Sequence, residues 1–317
     1  MKLQILHTIL IAIALAQFAS AQQPAKGGNC NKSKENCVQD TDSSYLAQPV
    51  DAVVQNWTDF IQARRASVHF AWTVAGDHEN AGVFTEGGGP YLGVEAVHSV
   101  FKIGDFNLEV PAGAAGRQIL YAPTTRPPNG SCLEMGTAYT TLAGQPTSVY
   151  VYVYDSCKAP TQFIYAAPVN EKFIQLYGGE TVDGITGYKL RIMPSSTSLS
   201  TQTEWSAQLF NFAKHDWETI AVSQGFVTDL SGWSIFETWY QKGQCSKTLK
   251  SIKAVDISYY DALANSWKAI SDEMLPLRNS VRGGGNCFVD QDPNNQASYK
   301  VMALPAVHGW EVTGTGH

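Results

Sequence analysis

From residue 68 onward, apolar and polar positions alternate with a period of two. Val68, Phe70, Trp72 and Val74 are interleaved with His69, Ala71 and Thr73, the pattern of a half-buried strand. The clearest case is Val149-Tyr150-Val151-Tyr152-Val153-Tyr154, where every residue favours a strand and the tyrosines all project to one side. The same period predicts strands over 97–103, 118–121, 163–166, 172–177, 188–193, 205–212, 217–222, 234–240 and 255–260. Turn residues separate them, notably Gly87-Gly88-Gly89-Pro90, Gly178-Gly179, Asp183-Gly184 and Gly283-Gly284-Gly285. Only one stretch shows helical spacing: Val53, Val54, Trp57, Phe60 and Ile61, after Pro49 and a capping Asp51, predict a helix over 51–65. Short strands at steady spacing, without crossover helices between them, define an all-β fold. The expectation is an antiparallel β-sandwich or jelly roll with one short N-terminal helix.

The ends of the chain read differently. Residues 1–21 have the three parts of a secretory signal: Lys2, an apolar run from Ile9 to Ala16, and the small-x-small site Ala19-Ser20-Ala21. That apolar run is about half the length a membrane span needs. Residues 22–48 form a polar, cysteine-containing leader. The sandwich is expected over 49–275, and a Gly- and Asn-rich segment, 276–317, is expected to wrap its surface. Cys30, Cys37, Cys132, Cys157, Cys245 and Cys287 make an even set, as disulfides in a secreted chain require. Sequence order favours the pairs 30–37, 132–157 and 245–287. No Cys-x-x-Cys spacing is present, so thiolate metal binding is not expected. Asn31, Asn56 and Asn129 head sequons for N-glycosylation in a eukaryotic host. Asn129, after Pro127-Pro128 and before Gly130, is expected on an exposed turn.

Composition narrows the function classes. The chain has 317 residues, 44% of them hydrophobic and 16% charged, which excludes a disordered polymer or a coiled coil. A net charge of -6 argues against nucleic acid as a partner. No Gly-x-Ser-x-Gly elbow presents a serine nucleophile, and Gly87-Gly88-Gly89 lacks the Lys-Ser/Thr of a phosphate loop. No cofactor and no metal are expected.

The richest chemistry lies in Trp233-Ser234-Ile235-Phe236-Glu237-Thr238-Trp239-Tyr240. On a strand, Trp233, Ile235, Glu237 and Trp239 share a face, and a carboxylate flanked by indoles suits a sugar through ring stacking and hydroxyl hydrogen bonds. Trp205 and Trp217, on neighbouring strands with Glu204 and Glu218 beside them, extend the set. Glu204, Glu218 and Glu237 are the candidates for a catalytic pair. Glycoside cleavage needs two carboxyls about 5–5.5 Å or about 6.5–9.5 Å apart. Asp77-His78-Glu79, with His69 and His98, forms a second polar cluster; it matches no metal template and, beside Gly76 and Asn80, reads as a strand-connecting loop. Tyr150, Tyr152 and Tyr154 form a third candidate face.

In architecture the chain resembles the concanavalin-like and jelly-roll sandwiches of extracellular glycan-recognition proteins. The leading expectation is a secreted glycan-binding protein recognising a cell-wall or extracellular polysaccharide, with neither nucleic acid nor membrane as partner. The alternatives are a glycoside hydrolase or polysaccharide lyase using paired glutamates, and a secreted structural or virulence protein that binds another protein.

Overall fold

The computed structural model describes residues 76–108, 117–142, 146–158, 162–241, 249–275, 278–282, 287–288 and 298–315. The signal, the leader with Cys30, Cys37 and Asn31, the helix over 51–65 with Asn56, and the strand over 68–74 lie outside these residues.

The fold is the expected antiparallel β-sandwich. One sheet has seven strands in the order β14-β1-β11-β3-β4-β5-β6. They are β1 (Gly76–Thr85), β3 (Arg117–Arg126), β4 (Leu133–Leu142), β5 (Ser148–Asp155), β6 (Gln162–Pro168), β11 (Gly232–Gln241) and β14 (Arg278–Arg282). The other has nine, with the path β10-β9-β8-β2-β12-β16-β15 and with β7 added to β8 and β13 to β12. Its members are β2 (Tyr91–Ser99), β7 (Glu180–Val182), β8 (Ile185–Pro194), β9 (Glu204–Asn211), β10 (Asp216–Gln224), β12 (Ile252–Asp261), β13 (Ser266–Ala269), β15 (Tyr299–Leu304) and β16 (Gly309–Gly314).

The core between the sheets follows from alternation. Val149, Val151 and Val153 of β5 point inward and are fully buried, against Trp205, Ala207 and Leu209 of β9, Leu190 and Ile192 of β8 and Trp310 of β16. The indole of Trp205 donates to Gly225 O at 3.1 Å, so this large ring enters the core with its one polar atom satisfied. A polar seam crosses the same interior. His98 of β2 places Nε2 2.8 Å from Thr125 Oγ1 and Nδ1 3.3 Å from the Tyr188 hydroxyl, which in turn lies 2.9 Å from Thr137 Oγ1. Burial holds His98 neutral and lowers its pKa from 6.5 to about 3.

The central strand of the seven-stranded sheet carries an extra residue. Against both neighbours, Tyr121 and Thr124 of β3 flank two residues where the partner strand has one. Pro123, which cannot donate to a ladder, sits at this bulge. The insertion reverses the alternation, so Leu120 and Ala122 face the core, Thr124 faces outward and Thr125 again faces inward to His98. Gly136 of β4 lies opposite Thr124; a Cβ there would meet Pro123 O at 2.5 Å and Thr124 Cα at 2.8 Å.

Several local expectations are corrected. Residues 172–177 form not a strand but the helix α1 (Glu171–Tyr177), because Asn170 caps it by accepting from Phe173 N at 3.0 Å and Phe173 and Tyr177, one turn apart, are buried. The polar stretch around Asp77-His78-Glu79 is not a loop but the start of β1, paired on both sides by β11 and β14. There the buried Glu79 carboxylate accepts the Cys287 backbone N–H at 3.1 Å. His98 belongs to the interior seam, apart from that stretch. The strand expected over 97–103 ends at Ser99. The segment after Ser271 supplies β14 to one sheet and the β15–β16 hairpin to the other. Asn129 is buried, not exposed: its Nδ2 donates to Gly89 O and Tyr91 O at 2.9 and 2.8 Å, and its Oδ1 accepts from Gly88 N at 2.6 Å. Every polar atom of its amide is thereby used to hold the turn. Cys132–Cys157 is a disulfide, as sequence order implies, and Cys287 is disulfide-bonded too; Cys245 lies outside the described residues. No helix among the described residues is long and apolar enough to cross a membrane.

Candidate functional site

The outer face of the seven-stranded sheet, away from the core, carries a second cluster: Ile119 and Tyr121 of β3, Ala138 of β4, Tyr152 of β5 and Phe163 of β6, with Tyr154 and Trp239 packed against them. Tyr152 stands edge-on to both Tyr121 and Phe163, with ring centroids 5.5 and 5.2 Å apart. The tyrosines therefore form a buried, interlocked floor rather than a platform of open ring faces.

Two carboxylates rise from that floor. Glu134 leaves β4 one residue after the inward Leu133, and its Oε1 lies 2.7 Å from the Tyr152 hydroxyl and accepts from Thr124 Oγ1 at 3.0 Å. The bulge in β3 is what turns Thr124 to this side. Glu237 leaves β11, with its Oε1 accepting the Trp239 indole N–H at 2.7 Å. Glu134, Glu237 and Trp239 are half-buried while Tyr152, Tyr121 and Thr124 beneath them are buried, so the carboxylates are the upper layer of the cluster. Burial and, after it, the charges of Glu134 and Glu237 push the Tyr152 pKa well above 10. Both carboxylates thus act on one phenol, which stays a neutral donor at any physiological pH. Asn80 of β1 pairs directly with Glu237, and its amide oxygen is buried without a hydrogen-bond partner among the described residues.

The expected site residues divide among several places. Trp233, Ile235, Glu237 and Trp239 share the outer face of β11, as their alternation implies, but Trp233 is covered by the Arg126 guanidinium, 4.7 Å above its ring. Trp205 is in the core. Glu204 is exposed at the start of β9, beside Gln224. Glu218 is opposite Leu209 and faces inward, where it accepts from the Tyr177 hydroxyl at 2.7 Å and pairs with Lys214 at 2.9 Å. Burial raises its pKa, but these bonds and one from Asn211 outweigh it, and the net shift is downward. Five residues of β9, about 17 Å, separate the levels of Glu204 and Glu218 on opposite faces of the sheet. Glu237 belongs to the other sheet altogether, so the three glutamates do not converge.

Glu134 is the partner that sequence reasoning missed. Its strand alternates weakly, because Thr137 faces inward while Gly136 and Ala138 face outward, and the pattern conceals the element. The available signal was the next strand: once Val149–Tyr154 is a strand, the segment before its turn is a candidate to pair with it, and the register sets Glu134 beside Tyr154.

No protein-family model matches the chain, and no curated protein matches it. Among solved structures it is similar to scytalido-glutamic peptidase with a peptide-based transition-state analogue, at 8% identity and a TM-score of 0.35, over 75% of this chain and 98% of that one. A second structure of that peptidase, with a transition-state analogue inhibitor, matches at 10% identity, the same coverage and the same TM-score. The CBM2 module of the evolved Dit protein of Lactobacillus casei BL23 phage J-1 matches at 9% identity and a TM-score of 0.18, over 52% of this chain and 61% of that one. At TM-scores this low, none of these likenesses bears on the reading of the site.

Proposed function

We propose that the chain is a hydrolase whose working groups are Glu134 and Glu237. The observation that carries this reading is a pair of half-buried glutamates from different strands, β4 and β11, on one outer sheet face, Glu134 bonded to the buried Tyr152 hydroxyl and Glu237 to Trp239, which packs against the same aromatic cluster. The hydroxyls of Tyr152 and Thr124 donate to Glu134 and fix it as the base that takes a proton from water. Glu237, beside Trp239 and the unpartnered oxygen of Asn80, supplies the proton for the leaving group. Tyr152 holds Glu134 in place. The half-buried indole of Trp239 next to a carboxylate suits a sugar substrate, which keeps the expected polysaccharide as the first class to test. The signal-like segment and the Cys132–Cys157 disulfide support action outside the cell.

The test is turnover of a substrate panel by the secreted protein. Polysaccharides are followed by released reducing ends, and denatured protein by released amines. Glu134→Gln and Glu237→Gln preserve shape and are each expected to reduce turnover at least a hundredfold, with urea midpoints near that of the parent. Turnover unchanged in both variants, or absent on every substrate, overturns the reading. Retention on a polysaccharide without turnover would return the protein to the glycan-binding class.

A further inference from the structure

Two hairpins of the nine-stranded sheet are built to one plan. Between β9 and β10, Asn211 Oδ1 accepts from the backbone of Ala213 and Lys214 at 2.9 and 3.0 Å, and His215 takes a left-handed conformation with φ 54°. Between β12 and β13, Asp261 Oδ1 accepts from Leu263 and Ala264 at 2.9 and 3.0 Å, and Asn265 has φ 50°. A tryptophan follows two residues later in each. Trp217 pairs with Phe210, their rings 5.4 Å apart, and Trp267 pairs with Tyr260, 5.6 Å apart. The hairpins stand at the two ends of the strand row β10-β9-β8-β2-β12-β13, which spans about 24 Å at the usual strand spacing.

Both indoles converge on one side chain. The Arg191 guanidinium of β8 lies 4.0 Å from the Trp217 ring and 5.0 Å from the Trp267 ring. Its Nε and Nη2 are fixed by Glu95 Oε2 at 2.9 and 2.5 Å, while Lys189 holds the other oxygen of Glu95 at 2.8 Å. Among the described residues, nothing hydrogen-bonds to Arg191 Nη1. Two cations therefore share one carboxylate, which leaves a local positive excess at Arg191 and Lys189 in a chain whose net charge is -6. All three members of the Trp-Arg-Trp row are half-buried, so their edges meet solvent.

We propose that this row binds an acidic polysaccharide, at a site separate from the carboxylate pair. The uronate carboxylates meet Arg191 Nη1 and Lys189, and the apolar faces of the sugar rings lie against the indole edges. A neutral glycan leaves the excess charge uncompensated, and an acidic peptide lacks the rigid apolar ring faces that suit two indoles flanking one guanidinium.

Affinity electrophoresis of the full secreted chain tests this with polygalacturonate, neutral galactan and polyglutamate as separate probes. The expected result is retardation by polygalacturonate at least tenfold stronger than by either of the others. Trp217→Leu and Trp267→Leu, which keep apolar packing, should each weaken it at least fivefold. Lys189→Met, which leaves the Arg191–Glu95 pair intact, should abolish the preference for polygalacturonate over galactan. Glu134→Gln should bind as the parent does, whatever its turnover. No retardation by polygalacturonate, equal retardation by polyglutamate or galactan, or full retention in both tryptophan variants with unchanged urea midpoints would each overturn the proposal.

Discussion

Acidification should weaken the sandwich through His98, and the size of the effect follows from its surroundings. The imidazole is fully buried between the sheets, with Thr125 and Tyr188 as its only polar contacts among the described residues, and its pKa falls from 6.5 to about 3. Between these values the unfolded chain binds a proton that the folded chain refuses. Stability is therefore fully present above pH 6.5 and falls as the pH drops, by about 1.4 kcal/mol per pH unit, until the folded state also protonates near pH 3. At pH 5 the loss is about 2 kcal/mol, and at pH 4 about 3 kcal/mol. Carboxylates titrate over the same range, so the measurement is a difference. Urea unfolding of the parent and of His98→Gln is followed at pH 8, 6, 5 and 4. Glutamine offers Thr125 and Tyr188 a neutral partner, so the variant pays a fixed packing cost without the acid-dependent loss. The gap between the two proteins should narrow by about 2 kcal/mol from pH 8 to pH 5. Parallel stability curves would refute the argument and show that water or a local opening reaches the ring in the folded state.

Three further outcomes are expected. Cys132→Ser with Cys157→Ser opens a link across a sequence separation of 25 and should lower stability by about 3 kcal/mol in urea unfolding; a loss below about 1 kcal/mol would contradict it. Gly136→Ala forces its new Cβ against the β3 bulge, costing about 1–3 kcal/mol by thermal unfolding and reducing turnover with it, since Thr124 must move away from Glu134. When the chain is made in a eukaryotic host, peptide mass spectrometry of the folded product should find Asn129 bare, and Asn129→Asp should cost about 1–3 kcal/mol because both bonds donated by its Nδ2 are lost.

The fold class was legible because inward and outward residues alternate plainly where both sides of a strand are β-favouring, as in β5. The reading failed where a short-range interaction outranked the period. In α1, an Asn170 cap and two aromatics one turn apart make a helix from a segment that also scans as alternating. In β1, pairing on both sides buries a glutamate that in isolation signals a loop. Half of the candidate site was visible, since Glu237 and Trp239 share a face on any extended strand. Its other half was not, because which residue stands above Tyr152 depends on the order β11-β3-β4-β5 and on a bulge, and neither is written in a local pattern.

That bulge decides which of two adjacent threonines serves which side of the sheet. Thr124 supports the carboxylate on the outer face and Thr125 grips the histidine within, with a single peptide unit between them. Without the extra residue, the period of two that runs through Leu120 and Ala122 would turn Thr124 inward and Thr125 outward. Here a shift of that peptide tilts both contacts at once. One inserted residue therefore sets the hydroxyl partner of the interior imidazole and that of the outer glutamate together.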